Sequence, residues 1–306
     1  MTSPLFTRLG LAVTGLLSAV VLAGEDHDHS TCDHGHGEAT DPFCFNLTDH
    51  WLDPWEHTHF RNGAPLIHNF GMEPAFLGRE FFVDYVYSAL EGGEEHELGA
   101  ELEWALTRRI GVVLEQGYLF ENPDSGAQTE GWGDFAMVPR FVLADCERCI
   151  ISANLEIAAP TGSKAVGAGE EWHLAPFLNT WCDLGDWWSL TTQTGLEFAL
   201  DSDETEFFFT VGLAKAVRVF EAPAGTDIAG HQHELPTGIL SAIAELSGAA
   251  VVDGDPKDEG VFELNGLIGL SLSATGSIDL RAGYLFPLNA HSELEGGMIV
   301  GAIHRF

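Results

Sequence analysis

Apolar and polar residues alternate along most of the chain from residue 79 onward. In the first alternating segment, apolar or aromatic side chains recur at every second position. These positions are Phe81, Val83, Tyr85 and Tyr87, and they alternate with Glu80, Asp84 and Ser88. Because successive side chains of a strand point to opposite faces, this period of two predicts a β-strand with one apolar and one polar face.

The same pattern recurs through the rest of the chain and predicts about twelve strands of about ten residues. The further strands are expected near 97–104, 110–120, 133–143, 149–159, 172–182, 187–199, 205–217, 237–248, 261–271, 277–287 and 294–306. An even number of strands of this length is typical of a barrel that crosses an outer membrane at a tilt. The expected fold class of residues 79–306 is therefore an all-β, antiparallel transmembrane β-barrel.

The lengths of the connections predict the orientation of the barrel. Short turns are expected near 107–109, 144–148, 183–186 and 274–277, and longer segments at 121–132, 160–171 and 249–260. Outer-membrane barrels usually place short turns in the periplasm and long loops outside. Residues 218–236 depart from this rule, because they form a long connection on the short-turn side. Either the strand count is wrong or this connection has a function of its own.

The strand at the carboxyl end carries a more specific signal. Met298, Val300, Ala302 and Phe306 lie on one of its faces, and Phe306 is the final residue. This pattern resembles the closing strand of bacterial outer-membrane barrels. The resemblance implies two partners, namely outer-membrane lipid and the barrel-assembly machinery that recognises this end.

The first 23 residues have the layout of a secretory signal peptide. Arg8 precedes an apolar run from Leu9 to Ala23, and we expect cleavage after Ala23. A retained membrane anchor is the alternative, but about fifteen apolar residues are short for a membrane span. Together with the barrel pattern, this layout predicts the outer membrane of a Gram-negative-type bacterium as the location.

Residues 24–78 form a His- and Asp-rich, largely irregular region before the barrel. Its first part carries His27, His29, His34 and His36 among aspartates. Imidazole and carboxylate groups at this density bind Zn²⁺, Cu²⁺ or Ni²⁺, so these four histidines are candidate metal ligands, although no cofactor is expected to be required. The alternative is a solvated acidic tail that binds metal incidentally. The sequence leaves open whether the region enters the barrel or stays in the periplasm.

The charge of the chain is strongly acidic, with 47 Asp and Glu residues against 13 Lys and Arg residues. This imbalance argues against a nucleic-acid partner, because phosphate binding requires basic residues. If the apolar faces contact lipid, the opposite faces line a lumen. The candidate lumen residues are Glu97, Glu101, Glu103, Glu115, Asp134, Arg140, Glu156, Glu197, Glu263, Asp279 and Arg281. Such a lumen would attract cations, whereas carboxylates paired with the arginines could instead seal it.

A second resemblance lies in the middle of the chain. Residues 155–163 read LEIAAPTGS, a Gly-rich loop follows, and the next strand has Pro176 at its centre. These features are similar to the phenol-degradation (MetA pathway) outer-membrane transporter family. The resemblance covers residues 79–306 and implies a barrel for solute passage. The His-rich segment lies outside it.

No pattern indicates an enzyme. Ser189, Ser241 and Ser271 lie on candidate strands, but His173 and His304 lack the companion residues that an activated nucleophile needs. The favoured function is an outer-membrane channel or transporter for small solutes or cations. The alternatives are an outer-membrane enzyme or structural barrel without a through path, and a secreted metal-binding β-sandwich.

The five cysteines are Cys32, Cys44, Cys146, Cys149 and Cys182, an odd number for an oxidising compartment. Cys146 and Cys149 have the spacing of a redox motif but fall on a predicted tight turn. A staple of that turn, or a pairing of either residue with Cys182, is equally compatible with the sequence.

Overall fold

A computed structural model describes residues 49–306 except 57, 203, 221–235 and 255–259. The signal peptide, the four candidate metal-binding histidines, Cys32 and Cys44 lie outside the described residues, as do His231 and His233 of the long connection. The predictions made for these residues therefore stay predictions.

Twelve long antiparallel strands form a closed barrel in the described part of the chain. Two short strands precede them, β1 (Phe60–Arg61) and β2 (Ala64–Pro65), and a four-residue strand β6 (Thr129–Trp132) extends one hairpin. The long strands are β3 (Arg79–Leu90), β4 (Gly93–Ala105), β5 (Ile110–Pro123), β7 (Phe135–Asp145), β8 (Cys149–Ala159), β9 (His173–Gly185), β10 (Trp188–Ala199), β11 (Thr205–Arg218), β12 (Ile239–Asp253), β13 (Phe262–Ser273), β14 (Ile278–Pro287) and β15 (Leu294–Arg305). The predicted fold class is confirmed.

Each long strand pairs with its neighbours in the sequence, and β15 pairs with β3 to close the sheet. At this seam Val300 lies opposite Tyr85 and Gly301 lies opposite Asp84. We call the end of the barrel where β3 begins, at Arg79, the base. The other end, where β3 finishes at Leu90, is the rim.

The two faces of the strands differ as the alternation predicts. On β3, Phe81, Val83 and Tyr85 are exposed on the outside of the barrel, whereas Glu80 and Asp84 are buried inside it. In a closed barrel every long strand is hydrogen-bonded to a neighbour on each side. No strand edge is left unpaired, and a lipid environment requires this of the backbone. Among the described residues there is no helix of the length and apolarity needed to cross a membrane.

The boundaries differ from the sequence predictions mainly at the rim. Residues 121–132 were expected to form a loop, but β5 continues to Pro123 and its end pairs with β6. β12 likewise continues to Asp253, into the segment 249–260 that was expected to be a loop. These strands extend beyond the length that a membrane crossing needs, and a prediction based on that length ends them too early. β11 and β12, which flank the long connection, pair directly, so no further strand of the barrel lies between them.

The described chain before β3 enters the barrel. Residues 64–70 are all buried, and so are Met72 and residues 75–78. Main-chain and side-chain groups of this segment bond to interior side chains of strands around the whole barrel. We call residues 59–78 the plug, because they fill the lumen at the base.

Candidate functional site: the plugged lumen

Arg140 joins the plug to the wall of the barrel. It projects inward from β7 and is completely buried. Its Nη1 donates to Glu103 Oε1 on β4 at 2.6 Å and to the Phe76 carbonyl oxygen of the plug at 3.0 Å. Its Nη2 donates to Glu73 of the plug, and its Nε donates to Asn154 Oδ1 at 3.0 Å. All three nitrogens of one guanidinium are thus used between plug and wall.

Two further arginines on the inner face pair with carboxylates near the base. Arg281 holds Asp84 through two hydrogen bonds, one of them 2.8 Å from Nε to Oδ1, and its Nη1 donates to the Asn69 carbonyl oxygen of the plug at 2.9 Å. Arg305 pairs in the same bidentate way with Asp279, with 2.7 Å from Nη1 to Oδ1. Paired and hydrogen-bonded charges of this kind tolerate burial, which unpaired ones do not.

The tip of the plug is held by main-chain hydrogen bonds. The carboxylate of Glu245 on β12 accepts the amide N–H of Phe70 at 2.6 Å and that of Gly71 at 2.9 Å. The Gln193 side chain on β10 accepts the amide of Glu73 at 2.9 Å. Asn179 donates to the Glu73 carbonyl oxygen at 2.6 Å. The wall therefore satisfies the polar backbone of a segment that has little regular structure of its own.

Glycines on the inner face make room for the plug. A methyl group at Gly212 would collide with Asn69, and one at Gly269 would come within 2.5 Å of the Phe70 ring. A methyl group at Gly111 would come within 2.6 Å of Leu77. Larger residues at these positions would fill the space that the plug occupies.

Above the tip of the plug the lumen opens into a cavity of about 90 Å³, which we call the rim chamber. Phe70 and Gly71 form its floor. One part of its wall is apolar, and the other carries carboxylates and amides. The remaining lining residues are Val86, Glu156, Gln193, Glu197, Phe208, Thr210, Glu245, Ser247, Asn265, Gly266, Leu267, Leu285, Leu294 and Ile299. No Lys or Arg belongs to this described lining.

Three carboxylates above the plug are less buried than the ion pair of Arg140 with Glu103. Glu115, Glu156 and Glu197 are partly exposed, whereas Glu103 is 1% exposed and Arg140 is fully buried. Glu197 Oε1 accepts a hydrogen bond from His173 Nδ1 at 2.8 Å. Glu115, Glu156 and Glu197 therefore keep contact with solvent, whereas Arg140 and Glu103 do not.

Most of the candidate lumen residues project from the inner faces of strands. These are Glu97, Glu101, Glu103, Glu115, Arg140, Glu156, Glu197, Asp279 and Arg281. Glu263 lies near the rim at the start of β13. Asp134 lies between β6 and β7, where its carboxylate accepts the amides of Gly162 at 2.7 Å and Gly169 at 3.0 Å and so anchors an external loop.

Three buried inner-face carboxylates were not among the predicted lumen residues. Glu80 and Asp84 were assigned to the polar face of the first strand without being named as lumen candidates, and the same alternation could have identified Glu245. Glu73 and His68 belong to the plug, where no periodic pattern exists to place a side chain.

Cys149 and Cys182 form a disulfide between neighbouring strands. They are directly opposite each other on β8 and β9, near the base, with Cα atoms 4.2 Å apart. Of the pairings left open by the sequence, the structure contains one between the predicted turn and Cys182.

The arrangement of strands is shared with solved membrane channels. Over 75% of this chain and 96% of the other, the fold is similar to the COG4313 outer membrane channel from Pseudomonas putida F1, with a TM-score of 0.50 and 15% identity. The protein has the outer-membrane β-barrel fold. It is also similar to the NanC porin over 74% of this chain and 100% of the other, with a TM-score of 0.51 and 7% identity.

Sequence comparisons are silent on the family. No family model matches the chain, and no curated protein matches it. The resemblance to the phenol-degradation transporter family therefore stays a prediction, and at these identities the structural similarities establish the fold alone.

Proposed function

We propose that the protein is an outer-membrane channel or transporter for small solutes, with the base in the periplasm and the rim outside the cell. The observation that carries this proposal is the closed barrel with an apolar outer face and a carboxylate-lined chamber open towards the rim. The fold of solved outer-membrane channels supports it. Carboxylates in a narrow aqueous space favour cations over anions.

The plug closes the base half of the lumen, so passage requires that it move. Its bonds to β4, β7, β10, β12 and β14 hold it against the wall. A solute that enters from the rim would meet Phe70 and Gly71 first. The proposed channel is therefore closed in the described conformation and is opened by displacement of residues 59–78.

The lining of the rim chamber supports one class of solute in particular. Glu156, Glu197 and Glu245 lie on one part of its wall, and Leu267 and Ile299 belong to the apolar part. A small organic cation with an apolar portion, such as an alkylammonium ion, would contact both kinds of surface. An inorganic cation would gain from the carboxylates alone, and an anion would be repelled.

The proposal is tested by reversal potentials of the refolded mature protein in planar bilayers under a salt gradient. We expect a small current from the full protein and a much larger, cation-selective current from a variant lacking residues 59–77. In that variant, neutralising Glu97, Glu115 and Glu156 to Gln should move the reversal potential towards the value of an unselective pore.

The matched control neutralises Asp124, Glu130 and Asp201, which are exposed near the rim. It should leave the reversal potential nearly unchanged, because charges in open water are screened within about 8–10 Å. A plugless barrel that is folded, as judged by heat-dependent gel migration, yet conducts no ions would refute the channel. Equal shifts from the lumen and control variants would refute the acidic selectivity.

A further inference from the structure

Three side chains that can ligate a metal meet at the seam between plug and wall. They are His68 of the plug, Glu80 of β3 and Glu103 of β4, and one ligand atom of each lies within 4.8 Å of the others. His68 Nε2 is 2.7 Å from Glu80 Oε2. All three residues are at least nine-tenths buried. The imidazole is fixed by edge contacts with the rings of Phe76 and Phe82, at 4.9 and 5.2 Å between centroids.

The carboxylates of Glu80 and Glu103 each use one oxygen to pair with an arginine. Arg140 donates to Glu103 Oε1 at 2.6 Å, and Arg305 Nε lies 3.3 Å from Glu80 Oε1. Of the second oxygens, Glu103 Oε2 is buried without a hydrogen-bond partner, and Glu80 Oε2 lies 2.7 Å from His68 Nε2. Buried polar atoms normally have a partner, so the unpartnered oxygen of Glu103 beside the His68–Glu80 pair indicates a missing ligand. The arginines would orient the carboxylates as outer partners of a metal site.

The charges around the cluster also leave room for a cation. Glu80 and Glu103 share Arg140 and Arg305 with two further carboxylates, Glu73 and Asp279. Four carboxylates thus face two guanidinium groups, which leaves an excess of two negative charges when all four are ionised and His68 is neutral. A divalent cation would remove this excess inside a part of the protein from which water is excluded.

A cavity of about 10 Å³ lies next to the cluster and is lined by His59, His68, Glu80 and Arg305, among others. This volume is close to the roughly 10–15 Å³ that a single buried water needs. It could therefore hold one small ligand, such as a water that completes the coordination of an ion. The cavity lies at the base, on the side from which the plug enters the barrel.

We propose that His68, Glu80 and Glu103 bind one divalent transition-metal ion of the Zn²⁺ type and thereby fasten the plug to the barrel wall. One imidazole nitrogen and two carboxylate oxygens are ligands that Zn²⁺ accepts at about 2.0–2.2 Å, with an open fourth position for water. The ion replaces the proton shared between His68 and Glu80 and draws the three side chains together. It bridges three separate segments, so its binding stabilises the plugged conformation over an unplugged one.

The test is a titration of the metal-free, refolded full chain with Co²⁺, whose visible absorption reports the number and type of ligands. The background variant carries His27, His29, His34 and His36 all replaced by Ala, so that the His-rich segment does not contribute. We expect one Co²⁺ per chain and a spectrum of low coordination number. In the same background, His68→Gln and Glu80→Gln should each weaken binding by at least about 100-fold.

The matched control is His173→Gln, which removes the histidine of another His–Glu pair in the same barrel, 2.8 Å apart and nearer the rim. It should bind Co²⁺ as the background variant does. Each variant is checked for folding by heat-dependent gel migration, and the two ligand variants act through different segments, so that one remains informative if the other does not fold. Absence of Co²⁺ uptake in the folded background variant, or uptake that survives both ligand substitutions, would overturn the site. Neither result would bear on conduction by the plugless barrel, so the channel proposal is judged separately.

Discussion

The base half and the rim half of the lumen are built from the same strands but differ in whether their carboxylates are paired with arginines. Around the plug, Arg140, Arg281 and Arg305 each hold carboxylates in short hydrogen bonds. In the rim chamber, Glu156 and Glu197 line a cavity without a described Lys or Arg in its wall. Charged side chains on the inner faces of the same strands therefore have different roles in the two halves. Beside the plug they form ion pairs, and in the rim chamber they line a cavity.

The physical reason for the contrast is water. A charge that is removed from water costs several kcal/mol unless it is paired, so the carboxylates beside the plug need arginines. Glu115 and Glu156 stay partly exposed and keep part of their hydration, so they can remain without an arginine partner. An unpaired carboxylate attracts a mobile cation, and a paired one holds the structure together.

Replacing Arg140 with Met tests the base half most severely. The substitution leaves Glu73 and Glu103 buried without their partner, which should lower the free energy of unfolding by about 3–5 kcal/mol. In the rim half, Glu156→Gln removes a charge with no arginine partner in the chamber wall and should change it by less than about 0.5 kcal/mol. Urea titrations of both variants in lipid vesicles measure the difference. Equal losses would mean that the two halves do not differ in the way described.

Replacing Gly212 with Ala should dislodge the plug without removing any polar contact. The added methyl group would overlap Asn69, and overpacking of this kind costs about 1–3 kcal/mol. We expect higher conductance in planar bilayers, because the plug should shift away from the added methyl group while the hydrogen-bonded strands of the wall stay in place.

The control for this change is Gly99→Ala, also on an inner face. A methyl group there meets its nearest atoms at 3.8 and 3.9 Å, which is ordinary contact. Its conductance should stay at the level of the unmodified protein. If both alanine variants conduct equally, the close approach of wall and plug does not control the pore.

The smallest expected effect concerns the apolar wall of the rim chamber. Butylammonium should raise the unfolding midpoint more than methylammonium does, because each methylene that enters an apolar site contributes about 0.8 kcal/mol. Leu267→Ala should reduce this difference between the two amines. Leu270→Ala, on the outer face of the same strand, should leave it unchanged. If the two amines differ by the same amount in all three proteins, the apolar wall does not contribute to binding of the solute.

Most of the barrel could be predicted from the sequence because its signal is periodic. The alternation at Phe81, Val83 and Tyr85 predicts both that a strand forms and which of its faces points out of the barrel, and the same alternation places Glu97 and Glu156 inside. Asp134 follows the same inward pattern in sequence, but it lies between two strands and its carboxylate binds loop amides. Period alone does not mark where a strand is interrupted.

The plug could not be predicted, since its structure is imposed by the wall. Residues 66–78 have little secondary structure, and their positions follow from bonds to residues as distant in sequence as Glu245 and Arg281. The pairing of His68 with Glu80 and Glu103 likewise depends on how deep the plug enters. No local rule gives that depth, because the hydrogen-bond partners belong to the barrel as a whole.

The seam between β3 and β15 has a consequence for biogenesis. The plug continues directly into β3 at Arg79, and β3 is the strand that β15 must reach to finish the barrel. Before that pairing forms, the curled sheet has two open edges and the plug can enter from the side. Afterwards it could reach Glu245 and Gln193 only by threading through the base. The plug makes hydrogen bonds to seven different strands, so it is positioned to act as a template around which the sheet closes.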